Sequence, residues 1–373
     1  MKLFSWVRVV PVGRAVPVGR AVPIWSALAV GSAMALWSVG LLSPVSLAAG
    51  LASAGPGFLQ QVGSECTRTI TRAQDAGPAL GAASPGDTLC FIGGDLAGAD
   101  LTMIRSGTAA APIRLVSDGR TTVHQVHVIG DHVVIQGFTI TGGDELLLAG
   151  AGIVAQKNVV RDTRTAGITC SPCTDSTIES NTVQHVATAG VFISGQRITV
   201  RANLVSNTVA GEGDAADGML FFGNGHRVIS NTIRDISASS HPRPSHPNCF
   251  QTLDTGHRPT FDVVILGNAC QNVAENCLIA TGDASGNSEA PAGSRSITFI
   301  GNSCAANGDQ AVDLRHWPNV DMHKNKLLGP RIKRAILITN GSTGCTVRDN
   351  TTAGHAPAVE IDDSSRPGFH QQP

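Results

Sequence analysis

The stretch Ile178-Glu179-Ser180-Asn181-Thr182-Val183 contains a pattern that occurs seven times in the chain and decides its fold. An apolar or β-branched residue is followed by two variable residues, an asparagine and a short, mostly small or apolar pair. Successive asparagines are separated by 22 to 37 residues. A short unit that repeats with insertions is typical of a stacked solenoid. The seven asparagines of this pattern are Asn181, Asn203, Asn231, Asn268, Asn302, Asn325 and Asn350.

The repeated units are strands. Each is a short β-branched run that ends in a turn residue, and none has the 3.6-residue periodicity of a helix. Asparagine suits the turn because it tolerates left-handed backbone angles and its side chain bonds neighbouring backbone groups. In coils that stack in register, one asparagine lies above the next. The sequence therefore predicts a ladder of asparagine side chains.

A second short strand follows each asparagine and supports the stacking. Side chains alternate across a strand, and two positions of this strand are mostly apolar, which places them in the interior. Two strands per unit, joined by turns, predict an all-β, single-stranded parallel β-helix. The two interior positions are Val191, Met219, Phe250, Leu278, Val312 and Ile336, and Ile193, Phe221, Thr252, Ala280, Leu314 and Ile338.

The chain resembles the right-handed parallel β-helix proteins of the pectate-lyase-like superfamily over residues 65–362. The segments 84–90 and 130–140 look like the opening coils of secreted polysaccharide lyases and of their uncharacterised relatives. Asp217-Gly218, followed by His246-Pro247-Asn248-Cys249-Phe250-Gln251, is similar to a motif of the uncharacterised secreted branch. The resemblance implies the handedness of the helix and marks a site, but one fold hosts many activities.

The chain divides into three parts. Residues 1–54 read as a signal peptide: a basic start, an apolar stretch from Ile24 to Leu42 and an Ala52-Ser53-Ala54 cleavage site. That stretch is 19 residues long, so a retained N-terminal membrane anchor is the competing interpretation. Residues 55–362 form one β-helix domain, and residues 363–373 are expected to be disordered. The protein is therefore expected outside the cell, either secreted or anchored and facing outwards.

The charge balance limits the partners. The removed segment holds four basic and no acidic residues, so cleavage takes the formal net charge from −1 to −5. Nucleic-acid binding is not expected of such a surface, because it requires a basic face. A polysaccharide partner and a monomeric state are expected.

All nine cysteines follow residue 54, as suits an oxidising destination. Cys66 and Cys90 are expected to fasten the first coils. Two pairs occupy matching positions in consecutive coils, Cys270 with Cys304 and Cys249 with Cys277, either as disulfides or as stacked thiols. The spacing of Cys170 and Cys173 favours a local disulfide over half a zinc site, and Cys345 is left over.

The insertions point to one functional side of the helix. Long segments flank the second strand in consecutive coils, at residues 209–217, 236–248, 254–261 and 282–295, and such loops usually carry function on a rigid scaffold. Drift of unconstrained loops is the alternative. The candidate substrate-binding residues on this side are Asn248, Gln251, Asn276, Gln310, Trp317 and Arg334.

The preferred reaction is eliminative cleavage of a uronate polymer. It requires neutralisation of the sugar carboxylate, often by Ca²⁺, and a base for the proton on the adjacent carbon. Arg315 or His316 is the candidate base, and a surface ion pair of Asp313 with an arginine is the structural alternative. The candidate catalytic residues are Asp217, His246, Asp313, Arg315 and His316, and the candidate Ca²⁺ ligands are Asp217, Asp254 and Asp313.

Two other functions stay open. Hydrolysis needs two carboxylates that flank the glycosidic bond, and Asp217 with Asp254 is one such pair. The tripeptide Arg331-Ile332-Lys333 matches an element of polygalacturonases, but the other elements of that family are missing, so a turn is favoured. The third function is a non-catalytic, sugar-binding or envelope-associated β-helix, which the low aromatic content of 4% slightly favours.

Overall fold

Three parallel sheets, running side by side along a solenoid, make up the chain in the computed structural model, as the sequence predicts. The structure describes residues 66–93, 96–209, 216–237, 247–254, 259–282, 290–291, 293–352 and 358–372. The described residues lie in one compact unit, Ala54–Pro373. None of their helices is long and apolar enough to cross a membrane. The predicted signal peptide or anchor lies outside the described residues.

Each full coil contributes one strand to sheet A, then one to sheet C, then one to sheet B, so a coil has three strands where the sequence pattern indicated two. The strands of sheet A are β1 (Arg68–Ile70), β2 (Thr88–Phe91), β4 (Ile113–Ser117), β7 (Val133–Gln136), β10 (Val154–Gln156), β13 (Thr177–Glu179), β16 (Thr199–Arg201), β19 (Arg227–Ile229), β22 (Val263–Leu266), β25 (Ile297–Ile300), β28 (Asp321–His323), β31 (Thr346–Arg348) and β34 (His370–Gln371).

The strands of sheet C are short, and those of sheet B are the longest. Sheet C contains β5 (Thr122–Val123), β8 (Thr139–Thr141), β11 (Val159–Arg161), β14 (Thr182–Gln184), β17 (Leu204–Ser206), β20 (Thr232–Ile236), β23 (Ala269–Val273), β26 (Ser303–Ala306), β29 (Lys326–Leu328) and β32 (Thr351–Thr352). Sheet B contains β3 (Asp100–Met103), β6 (Gln125–Val128), β9 (Leu146–Ala151), β12 (Ile168–Thr174), β15 (Thr188–Gln196), β18 (Ala216–Asn224), β21 (Phe250–Leu253), β24 (Leu278–Thr281), β27 (Gln310–Arg315), β30 (Arg334–Thr339) and β33 (Val359–Ile361).

The interior of the solenoid is a continuous apolar core. Both positions of sheet B that the sequence assigned to the interior are fully buried, for example Met219 and Phe221. One helix, α1 (Ala73–Gly81), follows β1 and packs against β1 and β3, with Ala76, Ala79 and Leu80 buried.

The asparagine ladder is present at the sharp turn from sheet A to sheet C. Each buried amide Nδ2 donates to the Oδ1 of the next asparagine, as Asn203 does to Asn231 at 2.9 Å and Asn231 to Asn268 at 3.0 Å. Asn158 extends the ladder by one coil, since its Nδ2 donates to Asn181 Oδ1 at 3.0 Å. The left-handed residue is the one before each asparagine, such as Ser230 with φ 53°. The asparagine is therefore required for its amide and not for its backbone tolerance.

Four disulfides form, and two of them differ from the expected pairing. Cys66–Cys90 and Cys170–Cys173 are bonded as anticipated, and Cys345 is a buried free thiol. The register does stack Cys270 on Cys304, yet the bonds are Cys249–Cys270 and Cys277–Cys304. Stacked side chains point in parallel, whereas cysteines on sheet C and at the start of sheet B strands converge across the interior corner. The two bonds therefore fasten successive coils diagonally.

The C-terminal residues are ordered, so the prediction of a disordered tail is wrong for residues 363–372. Asp363–Ser365 form a 3₁₀ turn whose cap, Asp362, accepts from the Ser365 backbone N–H. His370–Gln371 then add strand β34 to sheet A beside β31. Because Ser365 is fully buried, this segment belongs to the folded solenoid.

Candidate functional site

A column of five polar residues runs along the start of the sheet B strands. The strand register places Asp217, Asn248, Asn276, Gln310 and Arg334 at equivalent positions of successive coils. Neighbouring strands are about 4.8 Å apart, so each side chain can reach the next. We call this row the sheet B column.

The first three members form a short hydrogen-bond ladder. Asp217 Oδ1 accepts from the backbone N–H of Asn248 at 2.8 Å, and Asn248 Oδ1 accepts from the backbone and amide N–H groups of Asn276 at 3.1 Å. Asp217 is only 2% exposed, and burial raises its pKa to about 7. This corrects the prediction that Asp217 is a catalytic group or metal ligand, because its carboxyl is enclosed and bonded to the column.

The column loses its regular bonding at Gln310. The Gln310 amide turns away from Asn276 and donates to Asp313 Oδ2 at 2.9 Å. Three buried polar atoms are left without a hydrogen-bond partner among the described residues, namely Asn276 Oδ1, Gln310 Oε1 and Arg334 Nε. Such atoms are rare in native structures and commonly mark a place where water or a ligand binds.

Asp313 lies on the outer side of β27 but is fully buried, because Gln310 and Arg315 cover it. Arg315 donates to Asp313 through Nε at 3.0 Å and Nη2 at 2.6 Å, and this pairing raises the pKa of Arg315. The Arg315 guanidinium is 48% exposed and stays protonated. Arg315 therefore offers a fixed positive charge, and the geometry does not support its predicted role as a base.

A cleft of about 420 Å³ opens beside these residues. It is lined by Arg315 and Leu337 from sheet B strands, by the column members Gln310 and Arg334, and by loop residues of which the sequence analysis discussed only Arg331. The loop residues are Ala274, Glu275, Asn307, Gly308, Asp309 and Arg331. Apart from the tripeptide that contains Arg331, their sequence signal is that they precede sheet B strands in adjacent coils. This signal is visible once three strands per coil are recognised.

Some charged residues at the cleft are paired with carboxylates, and one, Arg331, is not paired with any described residue. Arg334 donates to both carboxylate oxygens of Glu360, at 2.9 and 3.0 Å, and Lys333 pairs with Asp309 at 2.9 Å. Arg331 is exposed and has no hydrogen bond or ion pair to any described residue. The turn predicted at Arg331-Ile332-Lys333 is present between β29 and β30. This turn places the Arg331 guanidinium in the cleft, where it is not neutralised by any described residue.

The remaining predicted residues are not gathered at the cleft. Trp317 is fully buried in the core, so its predicted contact with substrate is wrong. His316 follows β27 with a left-handed backbone, its N–H bonded to Thr339 O at 3.3 Å. Gln251 accepts from Asn248 Nδ2 at 2.8 Å, two coils before β27. His246 lies outside the described residues.

The three aspartates proposed as Ca²⁺ ligands do not fit one ion. The register separates Asp217 from Asp313 by three strand spacings, roughly 14 Å. Asp254 follows β21, two coils before the strand of Asp313. Ligand oxygens lie within about 2.6 Å of a bound Ca²⁺, so these carboxylates cannot share it. Among the described residues, the one compact group of potential ligands is Cys270, Cys277 and Cys304, which are disulfide-bonded.

Comparisons with known proteins agree with this architecture. Residues 120–233 match the family described as a right handed beta helix region. An alginate lyase from Paenibacillus sp. superposes with a TM-score of 0.55 at 16% identity, over 82% of this chain and 99% of that one. An α-1,3-glucanase catalytic unit from Streptomyces thermodiastaticus superposes with a TM-score of 0.55 at 13% identity, over 82% and 68%. No curated protein matches the sequence.

Proposed function

We propose that this pectate-lyase-like, right-handed parallel β-helix is a carbohydrate-active protein whose sheet B cleft binds a uronate-containing polysaccharide and cleaves it by elimination. The observation that carries the proposal is the cleft, with Arg315, Arg331 and Arg334 around one opening of about 420 Å³. Guanidinium groups match the planar geometry of carboxylates and bind them through paired hydrogen bonds. The solved alginate lyase and glucanase of the same fold act on polysaccharides, which supports a glycan as the substrate.

The chemistry assigns separate tasks to the cations and to a base. Elimination removes the proton from the carbon next to the sugar carboxylate, forms a carbon–carbon double bond and breaks the bond to the leaving oxygen. Arg331, which bonds no described residue, neutralises the carboxylate and stabilises the charge that develops on it. The base is His316, the candidate from the sequence; it follows Arg315 directly in the chain but does not line the cleft, so this role requires its side chain to reach the opening from the edge. His246, which lies outside the described residues, is the predicted proton donor to the leaving oxygen.

Hydrolysis is the second candidate, and one observation favours it. Glu275 and Asp309 both line the cleft, whereas the expected pair does not, because Asp217 is buried. A glycosidase usually needs two carboxyl groups at its site, one as the acid and one as the base or nucleophile. Asp309 Oδ2 accepts a hydrogen bond from Lys333 Nζ at 2.9 Å, which holds this carboxylate in place as the candidate base or nucleophile.

The deciding experiment measures unsaturated product by ultraviolet absorbance on pectate, alginate and glycosaminoglycans, together with new reducing ends. Reducing ends with matching absorbance establish elimination, and reducing ends without absorbance establish hydrolysis. Each assay is run with Ca²⁺ and with a chelator. Loss of product in the chelator is the outcome that the predicted Ca²⁺ dependence requires. His316→Ala is expected to abolish absorbance and Glu275→Gln to leave it in place. Absence of both products on every polymer contradicts the proposal of an enzyme and leaves binding alone.

We also propose that the protein works outside the cytoplasm. Eight of its nine cysteines are paired in disulfides, and such bonds persist in oxidising compartments. This supports the reading of residues 1–54 as a signal peptide or anchor. N-terminal sequencing of the protein recovered from the culture medium tests it: a mature start near residue 55 is expected, and an intact Met1 contradicts cleavage.

A further inference from the structure

The outer face of sheet A carries a surface whose composition differs from the cleft. In the coils of β19 to β31, two rows of side chains point outwards in register. One row contains Ile229, Leu266, Ile300, His323 and Arg348. The row beside it has Val264, Thr298 and Asp321. An aliphatic strip therefore adjoins a charged group directly. We call these residues the sheet A platform.

The aliphatic half is open to solvent. Leu266 is 37% exposed, and Ile229, Ile300 and Val264 are partly exposed. Leu266 is one of four large apolar side chains that the described residues expose to this extent. Adjacent strands lie about 4.8 Å apart, so Ile229, Leu266 and Ile300 together form a flat strip about 10 Å long, the size of one or two sugar rings.

The polar half of the platform has long ion-pair distances and buried polar atoms that bond no described residue. Asp321 Oδ2 lies 3.4 Å from Arg295 Nη1, 3.8 Å from His323 Nε2 and 3.9 Å from Arg348 Nη2, which are ion-pair distances longer than good hydrogen bonds. Asp321 Oδ1 and His323 Nδ1 are buried and have no hydrogen-bond partner among the described residues. His323 is only 7% exposed. A built cluster with unfilled donors and acceptors indicates a missing partner.

The chemistry of the missing partner follows from both halves. A pyranose ring presents an apolar C–H face and a rim of hydroxyls, each of which donates and accepts. The aliphatic strip suits the face, and the Asp321 carboxylate, the His323 imidazole and the Arg295 and Arg348 guanidinium groups suit the rim. A metal cation is disfavoured by the two guanidinium groups, and a phosphate by the carboxylate at the centre.

We propose that the sheet A platform is a second glycan-binding site, separate from the sheet B cleft, that holds a sugar unit with its ring on Leu266 and Ile300 and its hydroxyls on Asp321 and His323. The two sites lie on different sheets of the same coils, and two linked binding sites on one protein raise the apparent affinity for a polymer. The proposal stands whether or not the cleft cleaves its ligand.

Methyl NMR of the full chain tests the platform directly. Trisaccharides of galacturonate, mannuronate and glucose are titrated separately, so that an anionic and a neutral sugar are distinguished. Saturable shifts of the Leu266 and Ile300 methyl signals are expected with at least one of them. Ile104 and Ile129, which are 65% and 51% exposed on another face, serve as the internal control and are expected to stay in place.

Two variants separate the platform from the cleft. Asp321→Asn combined with His323→Gln is expected to weaken the titration at Leu266 about tenfold, the loss of one charge-assisted hydrogen bond. Arg331→Ala, in the cleft, is expected to leave that titration unchanged, even if the cleft proposal fails. Unaltered dispersion of the other methyl signals shows that the double variant folds. No saturable shift with any trisaccharide, equal shifts at Ile104, or an unweakened double variant overturns the proposal.

Discussion

Two polar columns run along this solenoid, one complete and one interrupted. The asparagine ladder at the turn from sheet A to sheet C continues through eight coils, and every amide bonds the next at 2.9–3.1 Å. The sheet B column starts in the same way at Asp217 and Asn248 but stops at Gln310. Among the described residues, the complete column leaves no amide unsatisfied, whereas the interrupted column leaves three buried polar atoms without a hydrogen-bond partner.

The difference separates stability from function within one repeated architecture. In the asparagine ladder, identical side chains at equivalent positions bond one another, so no amide group is left to bind a ligand. A change of residue type from Asn276 to Gln310 breaks the sequence of bonds and redirects an amide towards Asp313. The break coincides with the cleft, so the interruption of the column locates the candidate site better than any single residue does.

Breaking the complete ladder is expected to have the largest effect. Asn231→Ala removes the acceptor of the Asn203 backbone and amide N–H groups and the donor to Val200 O. Each buried group left unpaired costs about 1–3 kcal/mol, so a loss of about 3 kcal/mol or more in the free energy of unfolding is expected from urea denaturation. Asn224→Ala, at a half-buried position whose side chain bonds no described residue, is the matched control. Equal losses in the two variants would show that the ladder contributes nothing special.

Removing a cation from the cleft beside the interrupted column is expected to affect function and to spare stability. Arg331→Ala removes a cation that bonds no described residue, so the folded chain loses nothing. A charge-assisted hydrogen bond to a substrate carboxylate contributes about 1.5–3 kcal/mol, so kcat/KM on the uronate polymer is expected to fall roughly 10- to 100-fold. Arg366→Ala, paired with Asp363 at the C-terminal end, is the control. A stability loss in the Arg331 variant would contradict its assignment as a free cation.

Repairing the start of the interrupted column is expected to stabilise it above neutral pH. Burial raises the Asp217 pKa from 3.8 to about 7, so its contribution to stability is full below pH 3.8 and is lost as the pH rises through about 7. Asp217→Asn keeps an Oδ1 for Asn248 and removes the charge. Urea denaturation across this window is expected to show equal stability at the acid end and a more stable variant above pH 7. Asp217→Ala, which removes the acceptor, is expected to destabilise at every pH.

A smaller and opposite dependence comes from His226. Burial lowers its pKa from 6.5 to about 4, while its Nδ1 accepts from Ile198 N–H at 3.2 Å and its Nε2 donates to Phe222 O at 2.8 Å. Its contribution to stability is present above pH 6.5 and is lost as the pH falls through about 4. In wild type the gain in stability from Asp217 on acidification partly cancels the loss from His226. Asp217→Asn removes the gain, so the variant is expected to show the loss from His226 alone. An NMR titration of the His226 ring checks the assignment, and a pKa near 6.5 would contradict it.

The fold was predictable from the sequence because the ladder asparagines interact with their own equivalents. A residue that must match itself one coil away repeats in sequence, so its spacing reveals the stacking. The same logic identified the buried positions of sheet B, such as Met219 and Phe221. It undercounted the strands, since the three-residue strands on either side of the asparagine read as one unit.

The site was only partly predictable. Gln310, Arg315 and Arg334 were selected because they follow the strand register, and all three line the cleft. Glu275, Asp309 and Arg331 lie in loops whose direction no periodicity encodes. Trp317 was misplaced because its position relative to the core depends on the turn after β27 and not on strand alternation.

The sequence by itself determined the parallel β-helix, its asparagine ladder and the residues of the sheet B column, because each follows from repetition at fixed positions. The tertiary structure alone decided three further matters: which cysteines bond, which carboxylates are buried and which cations stay unpaired. These depend on how side chains from different sheets and loops converge in space. Convergence across coils sets distances and burial that no spacing along the chain contains.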